Sequence, residues 1–133
     1  MAIVIREIHA ATSPEALNEE WFLLENTGEK PFSTAGCAVA TGRGPNSRLS
    51  QQGTLDPGFT LAPNAKVRVI SGNPGKKIHG KPPEEKGEVR NYHLFLGSPL
   101  LAGAGTVLAM SLKQHEVVRA TFDPEGKAGL GAA

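Results

Sequence analysis

The fold is decided by one short stretch, Glu19-Glu20-Trp21-Phe22-Leu23-Leu24-Glu25-Asn26-Thr27-Gly28. An apolar run lies between acidic residues, and Asn and Gly then mark a turn because both tolerate positive φ. A run this short between polar boundaries predicts a β-strand. In an extended chain Trp21 and Leu23 face one side, while Phe22 and Leu24 face the other. Both faces of this strand therefore need a cover, supplied by the chain itself or by a partner.

The same kind of short, often alternating apolar run recurs along the 133 residues and predicts seven to nine strands. Sixteen Gly and ten Pro supply the turns, and the one helical signal is a single turn at Ser13–Leu17, with Ser13 as N-cap. This pattern is typical of an all-β sandwich. The expected strand positions are Ile3–Ile8, Trp21–Leu24, Cys37–Ala40, Phe59–Leu61, Val67–Ile70, Val89–Leu96, Val107–Leu112 and Val117–Phe122. The expected core residues are Phe22, Leu24, Val39, Leu61, Val69, Val107 and Val118.

The charge is unevenly distributed, although the whole chain carries only +1. Residues 1–34 hold six acids and two bases, a net charge of −4, and residues 66–90 hold seven bases and three acids, a net charge of +4. The low overall charge disfavours a strongly basic nucleic-acid-binding protein. The central basic stretch nevertheless contains the best candidates for contact with a polyanion. These candidates are Lys66, Arg68, Lys76, Lys77 and Lys81.

Signatures of catalysis and of metal binding are missing from the sequence. No Gly-x-Ser-x-Gly motif, phosphate loop or dinucleotide fingerprint occurs, and the four histidines are not at metal-ligand spacing. The single cysteine, Cys37, excludes an internal disulfide and is interpreted as a small buried hydrophobic residue. The sequence therefore predicts neither an enzyme nor a protein with a cofactor or a small-molecule substrate.

Two segments fit no strand pattern, and the remaining boundaries follow from composition. Residues 42–53 are rich in small polar residues, and residues 71–90 form an unusually long Gly-, Pro- and Lys-rich segment. Residues 1–122 are expected to form one β-sandwich domain, with residues 123–133 as a flexible tail. No signal-peptide core or membrane-spanning segment is visible, so we expect a cytoplasmic protein without membrane contact.

The quoted stretch, extended to Asn18–Pro31, resembles the opening of the lamin tail domain family, in which a short acidic, aromatic and aliphatic strand ends in Leu-x-Asn before a Gly turn. Phe32–Val39, Phe59–Ala65, Gly105–Leu108 and Glu116–Val118 resemble the family's later segments in order and spacing. Cys37 stands where the family usually has Trp, and Thr106 replaces the usual acid. The resemblance spans roughly residues 2–122 and implies an immunoglobulin-like β-sandwich, similar to stand-alone prokaryotic relatives of lamins.

The resemblance implies a non-catalytic interaction module, because the lamin tail domain family has no catalytic residues that could be assigned to this chain. The first functional hypothesis is binding to a protein partner, or self-association, with Trp21 and Leu23 as candidate contact residues. The alternative is weak, sequence-independent binding of nucleic acid or another polyanion through residues 66–90, with an affinity that falls as salt rises.

Overall fold

The computed structural model describes residues 3–44, 48–85, 87 and 89–131. These residues contain ten strands and three 3₁₀ helices of three residues each. The 3₁₀ helices are Leu17–Glu19, Lys77–His79 and Lys127–Gly129. The strands are β1 (Ile3–His9), β2 (Trp21–Asn26), β3 (Phe32–Ser33), β4 (Ala38–Gly42), β5 (Ser50–Thr54), β6 (Thr60–Leu61), β7 (Lys66–Ile70), β8 (Arg90–His93), β9 (Val107–Leu112) and β10 (His115–Thr121).

Two four-stranded sheets form the body of the molecule. Their strand orders are β1-β2-β7-β8 and β10-β9-β4-β5, and the two-residue strands β3 and β6 pair separately. The predicted all-β sandwich is therefore confirmed. The eight longer strands fall within the predicted range of seven to nine, and the two-residue pair brings the total to ten.

The core lies between the facing surfaces of these sheets. Six of the seven expected core residues are fully or almost fully buried: Phe22, Leu24, Val39, Leu61, Val69 and Val107. Val118 is only half-buried but packs against the core, and its neighbour Val117 is buried. A β-bulge between Glu116 and Val118 shifts the register of β10, and two successive residues pack at the core there. A bulge of this kind leaves no mark on the alternation of the sequence.

The pairing of β7 with β8 explains the long segment 71–89. These two strands run parallel, in register from Val67 opposite Arg90 to Ile70 opposite His93. All other strand pairs among the described residues are antiparallel. Parallel neighbours cannot be joined by a tight hairpin, so the chain must travel back along the sheet before β8 begins. We call residues 71–89 the crossover connection.

Two local expectations differ from the structure. Strand β5 overlaps the end of the segment 42–53, which fits no strand pattern, because β5 is a polar edge strand with no apolar alternation. The helical turn expected at Ser13–Leu17 is displaced: a backbone turn closes from Ala16 N–H to Ser13 O, and the 3₁₀ helix starts only at Leu17. Ser13 therefore does not cap this helix, whose N-cap is Ala16.

The segment expected to be a flexible tail is hydrogen-bonded to the sandwich as far as Gly131. Asp123 N–H donates to Gly129 O, Gly131 N–H donates to Thr121 O, and Phe122 forms a β-bridge with Leu130. Gly129 has a φ of +77°, and a Cβ there would lie 1.9 Å from the carbonyl oxygen of Ile8. This close approach to β1 requires glycine. The described part of the segment is thus packed against the edge formed by β1.

Two neighbouring leucines on β2, Leu23 and Leu24, test which face of this strand packs in the core. Leu24→Ala should lower the free energy of unfolding by about 2–5 kcal/mol, because Leu24 is fully buried in the core. Leu23→Ala is the matched control, since Leu23 is half-buried on the opposite face, and should cost about 1 kcal/mol. Urea unfolding followed by circular dichroism measures both. Equal losses for the two variants would contradict the assigned faces.

Candidate functional site

The crossover connection is held in place by a buried carboxylate at the start of β2. Glu20 is 2% exposed and accepts a hydrogen bond from the Ser71 hydroxyl at 2.6 Å. It also accepts the backbone N–H groups of Leu100 and Leu101 at 2.6 and 3.2 Å. One side chain thus joins the beginning of the crossover connection to the segment before β9. Hydrogen bonds to a charged acceptor are among the stronger ones in proteins.

A second buried anchor is Asn18, in the first 3₁₀ helix. Its amide donates to Asn73 O at 3.1 Å and to Gly80 O at 2.7 Å, which draws two points of the crossover connection together. Asn73 N–H in turn donates to Nδ1 of the buried His79 at 3.0 Å. At Gly72 a Cβ would lie only 2.3 Å from Asn18 Oδ1. Residues 71–80 of the crossover connection are therefore anchored against residues 17–20.

The outer face of β2 is covered from within the chain. The His9 ring stacks on Trp21 with centroids 5.2 Å apart, and the Arg68 guanidinium lies 5.3 Å from the Trp21 ring centroid. Arg68 also donates to Glu84 O at 3.2 Å and to Asn91 Oδ1 at 3.0 Å, which fixes the crossover connection to the sheet. Both interaction candidates, Trp21 and Leu23, are half-buried. Their role in binding a partner stays a prediction.

The five polyanion-binding candidates occupy different environments. Lys66 and Arg68 point away from the core, as expected, but Arg68 is half-buried in the contacts just described. Lys81 forms an exposed ion pair with Glu84 at 3.9 Å. Lys76 and Lys77 are exposed and form no ion pair with any residue that the structure describes. Only part of the basic stretch is therefore free to meet an anion.

Two exposed apolar residues were missed by the sequence reasoning, and both lie at the crossover connection. Ile78 is 68% exposed and Phe95 is 63% exposed, the two large hydrophobic residues with this property in the described chain. Ile78 belongs to the second 3₁₀ helix, beside Lys76 and Lys77. Phe95 N–H donates to Gly72 O at 3.2 Å, which ties it to the same connection. We call these four residues the Ile78–Phe95 surface.

The sequence did contain a signal for each of these residues. Ile78 is an isolated large apolar residue between Lys77 and His79, in a segment with no other. Phe95 extends an apolar run beyond the end of β8, where alternation would place a polar residue. Its φ of +57° puts it in the left-handed region, which aromatic residues rarely adopt. This backbone conformation turns Phe95 outward while Leu94 and Leu96 pack against the core.

The described chain offers little for catalysis. Within its described ranges no group of three or more His, Cys, Asp or Glu side chains could hold a metal ion. Cys37 is fully buried, as predicted, and burial raises the pKa of its thiol, which keeps it protonated and unreactive. No helix in the described part of the chain is long and apolar enough to cross a membrane.

His93, two residues before Phe95 of the Ile78–Phe95 surface, is expected to make the free energy of unfolding depend on pH. Burial lowers the pKa of His93 below 6.5, and this effect exceeds the opposing influences of a backbone hydrogen bond with Gly72 and of the Glu85 charge. The unfolded chain binds a proton at His93 more readily than the folded chain does, so low pH favours unfolding. The contribution of neutral His93 to the free energy of unfolding is fully present above about pH 6.5 and is lost as the pH drops through the lowered pKa.

We therefore expect the free energy of unfolding to fall from pH 7.5 to about pH 5, and His93→Gln to reduce that fall. Urea titrations at several pH values measure both slopes. His115→Gln, a change at an exposed histidine at the start of β10, is the matched control. An unchanged slope in His93→Gln would contradict the effect assigned to burial.

Comparison with known proteins adds no assignment: no family model matches the chain, and no curated protein matches it either.

Proposed function

We propose that this protein is a non-catalytic interaction module that associates with a second copy of itself through the Ile78–Phe95 surface. The observation that carries the proposal is the exposure of both large apolar side chains, one within the crossover connection and the other hydrogen-bonded to it. Transfer of such side chains from water to a protein interface is favourable by about 25 cal/mol for each Å² of apolar area buried. Aromatic residues are also enriched among the energetically dominant residues of interfaces.

The backbone of Phe95 gives further support. A left-handed conformation costs a residue other than glycine about 1–2 kcal/mol, so it persists only where the surroundings impose it. Here the hydrogen bonds from Phe95 N–H to Gly72 O and from Leu96 N–H to Ser71 O hold the chain in that shape. Strained residues of this kind cluster at functional sites. A strained backbone that presents an aromatic ring to solvent fits a contact residue.

The distribution of charge favours a second copy as the partner. Lys76 and Lys77 precede Ile78, in a stretch of net charge +4, whereas residues 1–34 carry −4. Glu15 and Glu29 in that acidic part are exposed and form no ion pair with a residue that the structure describes. Contact of these carboxylates on one copy with the lysines of another would add complementary charge to the apolar contact, and such complementarity promotes encounter and orientation.

The proposal includes the relationship to lamin tail domains, an immunoglobulin-like topology and a cytoplasmic location. The surroundings of Asn26, the Asn of the Leu-x-Asn motif, support it. Asn26 is 1% exposed, donates to Lys30 O and Leu61 O, and accepts the N–H of Gly28. Asn26 thus holds the turn that follows it and also binds β6 through Leu61 O. This structural role supports interpreting Asn26 as the Asn of the family motif.

Sedimentation velocity across micromolar to millimolar protein tests the self-association. The wild type should show a concentration-dependent dimer, which the double variant Ile78→Ser with Phe95→Asn should lose. Because both side chains are exposed and Asn tolerates the left-handed region, the variant should keep its stability. Gln114→Asn is the matched control, since Gln114 is also exposed and left-handed, with a φ of +69°. A wild type that stays monomeric throughout would overturn the proposal.

Binding of a polyanion is the second candidate function, and the exposure of Lys66, Lys76 and Lys77 supports it. These charges would reinforce one another only within about 8 Å at physiological salt. Labelled single-stranded and duplex DNA should bind weakly at low salt and dissociate as salt is added. The triple variant of Lys76, Lys77 and Lys81 to Ala should weaken binding of both DNA forms. Binding unaffected by these changes would contradict this function.

A further inference from the structure

A cleft of about 420 Å³ opens between the second sheet and the segment before β9. Thr41 and Arg43 line it from the end of β4, and Arg48 and Ser50 line it from the beginning of β5. Pro99 and Leu100 line it from the segment before β9. The three chain segments that form this cleft are separate from the Ile78–Phe95 surface. We call it the arginine cleft.

The charge of the arginine cleft is entirely positive. Arg43 and Arg48 are exposed, and neither forms an ion pair or a side-chain hydrogen bond with the residues that the structure describes. No carboxylate is among its described lining residues. Glu20 binds the backbone N–H of Leu100 but does not itself line the cleft. Two arginine residues therefore line one space, and no acidic residue is among its described lining.

The remaining lining is mixed: Thr41, Ser50, Gln52 and Thr106 are polar, and one wall, formed by the segment before β9, is apolar. Pro99, Leu100 and Ala102 contribute apolar surface, and Leu100 is buried and hydrogen-bonded to Glu20. The Thr106 hydroxyl donates to Gly103 O at 2.7 Å and accepts Ala102 N–H at 3.1 Å, so it fixes the loop behind the cleft. A ligand would thus meet a preformed apolar wall beside two cationic groups.

From this arrangement we propose that the arginine cleft binds a small organic phosphate. Guanidinium groups match phosphate oxygens with paired, charge-assisted hydrogen bonds, and the Ser50 hydroxyl supplies one more donor. The organic part of the ligand packs on Pro99 and Leu100. The volume lies within the range of about 300–1,000 Å³ that small-molecule sites occupy. The site would make the interaction module responsive to a phosphorylated metabolite.

Titration of ¹⁵N-labelled protein with phenyl phosphate, followed by amide chemical shifts, tests this proposal. Phenyl phosphate should perturb the amides of residues 41–43, 48–52 and 99–106, with an affinity that falls as salt rises. Phenol, which lacks the charge, should not bind, and inorganic phosphate, which lacks the apolar part, should bind more weakly. Equal binding of inorganic and phenyl phosphate would contradict the proposed contact between the cleft and the organic part of the ligand. No binding of either compound would contradict the proposal of a phosphate site.

Arginine variants then locate the binding. Arg43→Gln and Arg48→Gln should each weaken phenyl phosphate binding about tenfold, because each removes charge-assisted hydrogen bonds. Arg90→Gln, a change at another exposed arginine, is the matched control and should leave the affinity unchanged. An affinity unchanged by both cleft variants would overturn the proposal. A single-stranded oligonucleotide that binds more tightly than phenyl phosphate, in a manner sensitive to Arg43→Gln, would overturn the assignment to a small molecule. None of these results depends on self-association.

Discussion

The parallel pairing of β7 with β8 is the constraint on which the rest of the molecule depends. In an antiparallel sandwich, neighbouring strands can be joined by short turns, and the chain needs few long connections. One parallel pair changes this, because β8 cannot begin until the chain has returned along the sheet. The crossover connection is therefore a consequence of strand direction. Its polar composition suits a segment that lies on the outside of a sheet.

A long connection of this kind needs anchors, and the structure supplies them with buried polar groups. Asn18 and Glu20 act from the segment just before β2, and both are almost completely buried. Their partners are mainly backbone groups of the crossover connection and of the segment before β9. Because a buried polar group without a partner is costly, the connecting segments are held in positions where the Glu20 carboxylate and the Asn18 amide N–H groups find partners. The same anchors place both candidate binding surfaces, since one lies on the crossover connection and the other beside Leu100.

The two surfaces differ in character and suit different ligands. The Ile78–Phe95 surface combines two exposed apolar side chains with two exposed lysines, which fits contact with another protein. The arginine cleft is concave and combines guanidinium groups with an apolar wall, which fits a small anionic molecule. A β-sandwich commonly carries its function on the loops at its ends, and fold alone does not determine that function.

The sequence by itself determined the class of fold and most of the core. Alternation in the runs around Leu24, Val39 and Val69 is a local property, because side chains on a strand point to opposite faces regardless of what the strand meets. The burial of Cys37 was predicted from its residue type, since a free cysteine behaves as a small hydrophobic residue. Where the local rule is interrupted, the sequence alone missed the burial of Val117 at the bulge in β10, and it predicted no strand at the polar edge strand β5.

Only the tertiary structure decided which surfaces are open. Trp21 was a reasonable candidate for contact with a partner, but His9 and Arg68 reach it from neighbouring strands. Arg68 was a candidate for contact with a polyanion, but its guanidinium donates hydrogen bonds to Glu84 O in the crossover connection and to Asn91 Oδ1. Arg43 and Arg48 attracted no attention in the sequence, because nothing in their spacing shows that they line one cleft. The exposure of a side chain and the pairing of its charge depend on residues far apart in the chain. The order of the strands and the path of their connections bring those residues together.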